Sequence, residues 1–103
     1  MTFEEKKKRL KDAGWKVGNA EDFLELTPEE SSYIDIKIAL SNHFKELRQK
    51  RKLSQLQTAR LLKTSQSRVA KMEKGDPSVS ADLLLKALFT LGLKKKNLGR
   101  ILS

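Results

Sequence analysis

No cysteine occurs in the 103 residues, which excludes disulfides and thiolate metal sites and makes a reducing cytosol the expected setting. Two prolines and five glycines leave little material for the many tight turns of a β-rich chain. There is no run of about eighteen apolar residues, so nothing in the sequence is expected to span a membrane. The opening stretch "MTFEEKKKRLKD" lacks the apolar core of a secretory signal. The single histidine, His43, has no second nitrogen or sulfur ligand type to share a transition metal with, so no metal site is expected. Nucleophile–base pairs, phosphate-cradling glycine loops and nucleotide motifs are also missing. The chain does not read as an enzyme, and no cofactor is implied.

Acids are scarce in one part of the chain only. Residues 36–103 hold 16 Lys/Arg against 4 Asp/Glu, a local charge of +12. Residues 17–35 carry six acids and no Lys or Arg, and residues 1–16 are again basic, with six Lys/Arg against three acids. A basic C-terminal two-thirds points to a polyanionic partner. The plainer alternative is a lysine-rich surface that serves solubility.

What is present is rich in Leu, Lys, Ala, Gln and Glu, a composition that favours an all-α fold. A helix is expected from Phe3 to Ala13, with Gly14 as its left-handed stop, and Asn19 can cap a short helix carrying Phe23, Leu24 and Leu26. "TPEE" is a strong start signal, with Thr27 as cap, Pro28 in the first turn and Glu30 closing a capping box. The helix it opens should reach about Lys50. Tyr33, Ile36, Leu40, Phe44 and Leu47 form one apolar stripe, expected to face the core, and Ile34 and Ile38 form a second about 120° away. Ser54 and Gln57 make another capping box, Ser65 starts a further helix that ends at Gly75, and Ser80 caps "ADLLLKALFTL" before Gly92. This last helix is apolar around most of its circumference. Leu84, Leu88 and Leu91 on it are expected to meet a twin chain. The tail "LKKKNLGRILS" is basic, with Leu98, Ile101 and Leu102 able to tuck back. The expected organisation is an N-terminal extension at 1–27, a main domain at 28–92 and a basic tail at 93–103.

The stretch "KTSQSRVAKMEKG", Lys63 to Gly75, carries no acid before Glu73. On a helical wheel Val69 and Met72 fall together, and Ser67, Ala70, Lys71 and Lys74 fall opposite, flanked by Gln66 and Arg68. Small, amide and cationic groups on an outward face suit the DNA major groove. Amides pair with adenine, and Lys or Arg pairs with guanine or phosphate. A solvated polar face explains this helix equally well when it is taken alone. The helix before it, joined by a turn of two or three residues, makes the pair a helix-turn-helix.

"LSQLQTARLLKTSQSRVAKMEKG" resembles the helix-turn-helix of the Xre/Cro family of phage-type repressors. Leu53, Ser54, Gln55, Ala59, Leu62, Ser65, Val69, Glu73 and Gly75 fall where that family's pattern has them, and the resemblance covers about residues 36–92. Thr58 departs from a usual leucine and Lys63 from the usual glycine of the turn. Leu56 and Leu61 stand where polar residues are common. The resemblance implies a five-helix, lambda-repressor-like domain with a short helical N-terminal extension. It further implies that Gln55 contacts phosphate, that Gln66, Ser67 and Lys71 read bases, and that Arg68 reaches phosphate or a flanking base. Lys74 is implied to touch the backbone, and Arg48 and Glu73 to form an ion pair tying the first helix to the recognition helix.

"AGWKVGNAEDFLELTPEE", the long helix after it and "SQSRVAKMEKGDPSVSADLLLKALFTLG" are similar to HigA-type antitoxins. That resemblance implies a double-stranded DNA operator, a RelE/HigB-like ribonuclease toxin as partner, a homodimer and a cytoplasmic protein that represses its own operon. Trp15, Phe23 and Leu24 are then candidate toxin contacts, although covering Ile34 and Ile38 within the chain accounts for Trp15 and Phe23 as well. Two other readings stand beside this one: a stand-alone phage-type repressor, and a basic helical module that meets RNA or a protein.

Overall fold

The first long helix starts on two reciprocal hydrogen bonds. The Thr27 hydroxyl accepts from the Glu30 N–H at 3.2 Å, and the Glu30 carboxylate accepts from the Thr27 N–H at 3.0 Å, which satisfies donors that a helix otherwise leaves orphaned. In the computed structural model, which describes residues 2–6 and 26–102, this helix is α1, Pro28–Lys50. Then come α2 (Gln55–Leu62), α3 (Gln66–Lys74), α4 (Ala81–Thr90), a 3-10 turn (Lys95–Asn97) and α5 (Leu98–Leu102). Residues 3–6 are also helical, and no strand occurs among the described residues. The fold is all-α, of the helix-turn-helix type. None of the helices described is long and apolar enough to cross a membrane. The expected stop at Gly14, the cap at Asn19, and Trp15, Phe23 and Leu24 lie outside the described residues.

The four longer helices end alike. After α1, α2, α3 and α4 the next N–H groups turn back to carbonyls three and five residues earlier, as in Leu53 to Arg48 (3.1 Å), Thr64 to Ala59 (2.9 Å), Asp76 to Lys71 (3.1 Å) and Leu93 to Leu88 (2.9 Å). This closure needs one left-handed residue. Gly75 and Gly92 supply it at two ends, whereas Lys52 and Lys63 supply it at the other two, with φ of 58° and 56°.

The core gathers Leu40 and Phe44 of α1, Ala59 of α2, Val69 and Met72 of α3, Val79, and Leu84, Ala87, Leu88 and Leu91 in and just after α4. Leu98 and Ile101 pack on its edge, while Leu102 stays exposed. This placement corrects the expected role of Leu84, Leu88 and Leu91. They are 0%, 0% and 1% exposed within one chain, so they have no surface to offer a twin. Helices α1, α2 and α3 and the C-terminal turn together cover more of α4 than its apolar circumference suggests.

A second correction concerns α1. Ile36 is exposed, and the buried arc runs through Lys37, Leu40, Ser41 and Phe44. These positions follow i, i+3, i+4, i+7 spacing, from which Ile36 lies well off. Lys37 is tolerated there because its Nζ donates to the Pro77 carbonyl at 3.3 Å and lies 5.9 Å from the centroid of the Tyr33 ring. Its methylene stem packs as an apolar chain would.

Tyr33 belongs to a smaller cluster with Leu26, Ile34, Ile38 and Phe3. Phe3 meets the Tyr33 ring edge-on at 5.6 Å. Lys6 Nζ lies 2.7 Å from the Glu30 carboxylate and, with the Thr27 N–H, holds that carboxyl below the usual carboxylate range. Residues 2–6 thus cover the Ile34 side of α1 from within the chain.

Candidate nucleic-acid interface

Helix α2 begins at Ser54, whose hydroxyl accepts from the Gln57 N–H at 3.0 Å while the Gln57 side chain accepts from the Ser54 N–H at 2.8 Å. Thr58, at the usual leucine position, is fully buried, and its hydroxyl is satisfied by the Ser54 carbonyl at 2.9 Å. The turn to α3 passes through left-handed Lys63, and the Ser65 hydroxyl caps α3 by accepting from the Arg68 N–H at 3.1 Å. The left-handed Lys63 and the Ser65 cap, with Ala59 and Val69 packed together in the core, therefore fix the angle between α2 and α3.

A lysine at Lys63 carries a conformational cost that glycine avoids, of about 1 kcal/mol after allowing for glycine's freer unfolded chain. Lys63→Gly is expected to raise the unfolding free energy by about that amount. Denaturant titration checks this, and unchanged or lower stability would mean that the turn relaxes elsewhere.

Val69 and Met72 anchor α3 in the core with no exposed surface. Gln66, Ser67, Arg68, Lys71 and Lys74 are all exposed on the other side, with Ala70 half-buried between them. One rigid helix thus presents long cationic side chains beside an amide and a hydroxyl. Glu73, the only acid of α3, turns inward. Its carboxylate takes the Nε of Arg48 and, at 3.1 Å, the Nη2 of the same guanidinium. Arg48 Nη1 donates to the Leu53 carbonyl at 2.7 Å. The pair ties α1, the α1–α2 turn and α3 into one unit, and it removes the negative charge from the outward face.

Gln55 sits at the first residue of α2, and its side-chain amide donates to Glu73 Oε1 at 3.3 Å. The family resemblance implies a phosphate contact for this residue. In the structure it buttresses the ion pair. Lys37 gives little sign of its role in the sequence. Its bond to Pro77 fixes the loop that leaves α3, and the one signal is its place three residues from both Ile34 and Leu40, at helical spacing from two apolar residues. Among the described residues no group of His, Cys, Asp and Glu could hold a metal ion.

Residues 44–95 match the helix-turn-helix family of the Xre/Cro type. No curated protein and no solved structure matches the chain significantly. The matched span runs from Phe44 in the core to the 3-10 turn and takes in α2, α3 and α4 whole. It covers just over half of the sequence, and with the capped α2–α3 pair and its outward cationic face it makes this protein a member of the Xre/Cro-type helix-turn-helix family of DNA-binding transcriptional regulators.

Proposed function

We propose that the chain reads a specific duplex operator with α3 and serves as the antitoxin of a type II toxin–antitoxin pair, neutralising a RelE/HigB-like ribonuclease and repressing its own operon. The observation that carries operator reading is the outward face of α3. It offers Gln66, Ser67 and Lys71 at the centre, with Arg68 and Lys74 beside them, and its one acid is withdrawn to Arg48.

On this reading Lys71 and Gln66 discriminate bases, whereas Lys74 holds the backbone. Lys71→Ala is expected to relax preference at one base position by about 1–3 kcal/mol. Lys74→Ala is expected to weaken all duplexes alike. Competition binding with operator and random duplex reads both variants. Equal weakening of the two duplexes by Lys71→Ala would remove it from base readout.

The antitoxin role rests on the resemblance to HigA-type proteins and on the segregation of charge. The acidic stretch at 17–35 lies apart in sequence from the basic remainder. On the first half of α1, exposed Ile36 stands near exposed Glu29 and Asp35. An apolar anchor beside acids suits a cationic RNA-cutting partner, because opposite potentials speed encounter and select the right one. A twin on a pseudo-palindromic operator meets the outward side of α4 at Phe89, which is 41% exposed.

The test is co-expression with a neighbouring ribonuclease gene product. The full chain should restore growth. A form lacking residues 1–25 should keep operator binding, since it retains Leu26 and the whole main core, and should lose the rescue, because the candidate contacts Trp15, Phe23 and Leu24 go with the deleted residues and the Ile36 patch alone is too small an anchor. Rescue by the shortened form would place the toxin surface on the core. An operator-binding protein whose genomic neighbourhood holds no such ribonuclease would be a stand-alone repressor.

A further inference from the structure

Two runs of three consecutive cations, Lys50-Arg51-Lys52 and Lys94-Lys95-Lys96, lie over forty positions apart in the sequence. The fold brings the first run to the turn that precedes the second. Arg51 Nη1 donates to the Leu91 carbonyl, and it lies 3.4 Å from where a Cβ on Gly92 would stand. The residues leading into the second run are therefore held against the turn that ends α1. All six cationic residues are exposed. Lys50 and Arg100 line one groove between α1 and α5, in which Glu46 is the sole acid among the described residues.

The other acids of residues 36–102 are committed elsewhere. Glu73 is taken by Arg48, Asp82 lies 3.1 Å from Lys86, and Asp76 accepts from Ser78 at 2.6 Å. Bringing like charges together opposes folding unless something anionic meets them. The location narrows what that is. The first run leads directly into Ser54 and Gln55, the start of α2, and Gln55 in turn bonds Glu73 of α3. The cationic surface thus begins at the α1–α2 turn, beside the recognition unit.

We infer that the two runs form a second phosphate-binding surface that holds the DNA backbone outside the segment facing α3. This rests on the DNA-binding reading of α3 and extends its footprint. Such contacts carry no base preference, so they should appear as affinity, salt dependence and a longer protected duplex.

The test uses the full chain and a triple variant, Lys94→Gln with Lys95→Gln and Lys96→Gln. Because these side chains are exposed and their loss only relieves like-charge repulsion, the variant should melt at or above the wild-type temperature. The probe is the duplex that the wild type selects from a random pool, in a short form trimmed to the selected bases and a long form with about ten further base pairs on each side. The wild type should bind the long form more tightly, and the variant should lose that advantage by about tenfold or more. The slope of log K against log salt should become shallower by about 0.9 for each phosphate that the variant no longer neutralises. Base preference should stay as in the wild type, in contrast to Lys71→Ala. Duplex binding with an unchanged slope and no length dependence would overturn the second surface and leave the α3 reading intact. A wild-type chain that selects no duplex would overturn both. A slope change seen with single-stranded RNA and not with duplex would assign the surface to RNA and overturn the inference as stated.

Discussion

Glu73→Ala is expected to destabilise the protein by about 3 kcal/mol, within the range for breaking a buried ion pair by removing one partner. The Glu73 side chain is 4% exposed and that of Arg48 13%. Removing the carboxylate leaves a nearly buried guanidinium with the Leu53 carbonyl and frees the Gln55 amide. In a domain of this size such a destabilisation lowers the melting temperature by roughly 10–20 °C. The apolar double replacement Arg48→Met with Glu73→Leu should recover much of the stability, because it abolishes the stranded charge along with the pair. Thermal and denaturant unfolding of the single and double variants check this. A change below about 1 kcal/mol in the single variant would mean that water already screens the pair. Since Glu73 links α3 to α1 and to Gln55, the single variant should also bind operator less well than its folded fraction accounts for.

The largest stability change is expected at Phe44, and Ile36 supplies its contrast. Both belong to one apolar stripe in the sequence. Phe44 is fully buried in the main core, whereas Ile36 is 37% exposed. Phe44→Ala removes a whole ring from the core and should cost about 4 kcal/mol from the forgone transfer energy and the cavity left behind. That is a large share of the roughly 5–15 kcal/mol that holds a domain together. Ile36→Ala should cost less than about 1 kcal/mol, because much of the side chain already meets water. Urea unfolding midpoints at constant slope separate the two. Comparable destabilisation at both positions would mean that the Ile36 side of α1 is covered in solution, by a second chain or by residues 7–25.

Much of the candidate interface is legible in the sequence because it depends on local rules. Hydroxyl caps at Thr27, Ser54, Ser65 and Ser80 start helices by bonding N–H groups three residues on, and that spacing can be read without knowing the fold. The outward placement of Gln66, Ser67, Arg68, Lys71 and Lys74 follows in the same way once Val69 and Met72 are assigned inward. The stops at Gly75 and Gly92 are local as well. The one at Lys63 is less visible, since a left-handed lysine has no signature of its own and only its neighbours' hydrogen bonds hold it there.

By itself, then, the sequence determined the all-α class, where the four longer helices begin, the stops at Gly75 and Gly92, and the chemistry on the face of α3. All of these are set within a turn or two of chain. Tertiary structure alone decided which faces are covered. Periodicity says that residues share a side, but coverage depends on what distant segments bring to it. The Pro77 carbonyl and the Tyr33 ring let Lys37 take the buried arc, and Ile36 is left outside. The combined surfaces of α1, α2, α3 and the C-terminal turn enclose Leu84, Leu88 and Leu91, so these leucines stabilise one chain and do not join two. A bond between Arg51 and the Leu91 carbonyl holds the turn before one cationic run against the other run. The physical reason is common to all three. Local structure follows from hydrogen bonds and sterics between near neighbours, whereas burial and charge proximity are properties of pairs that only the folded chain brings together.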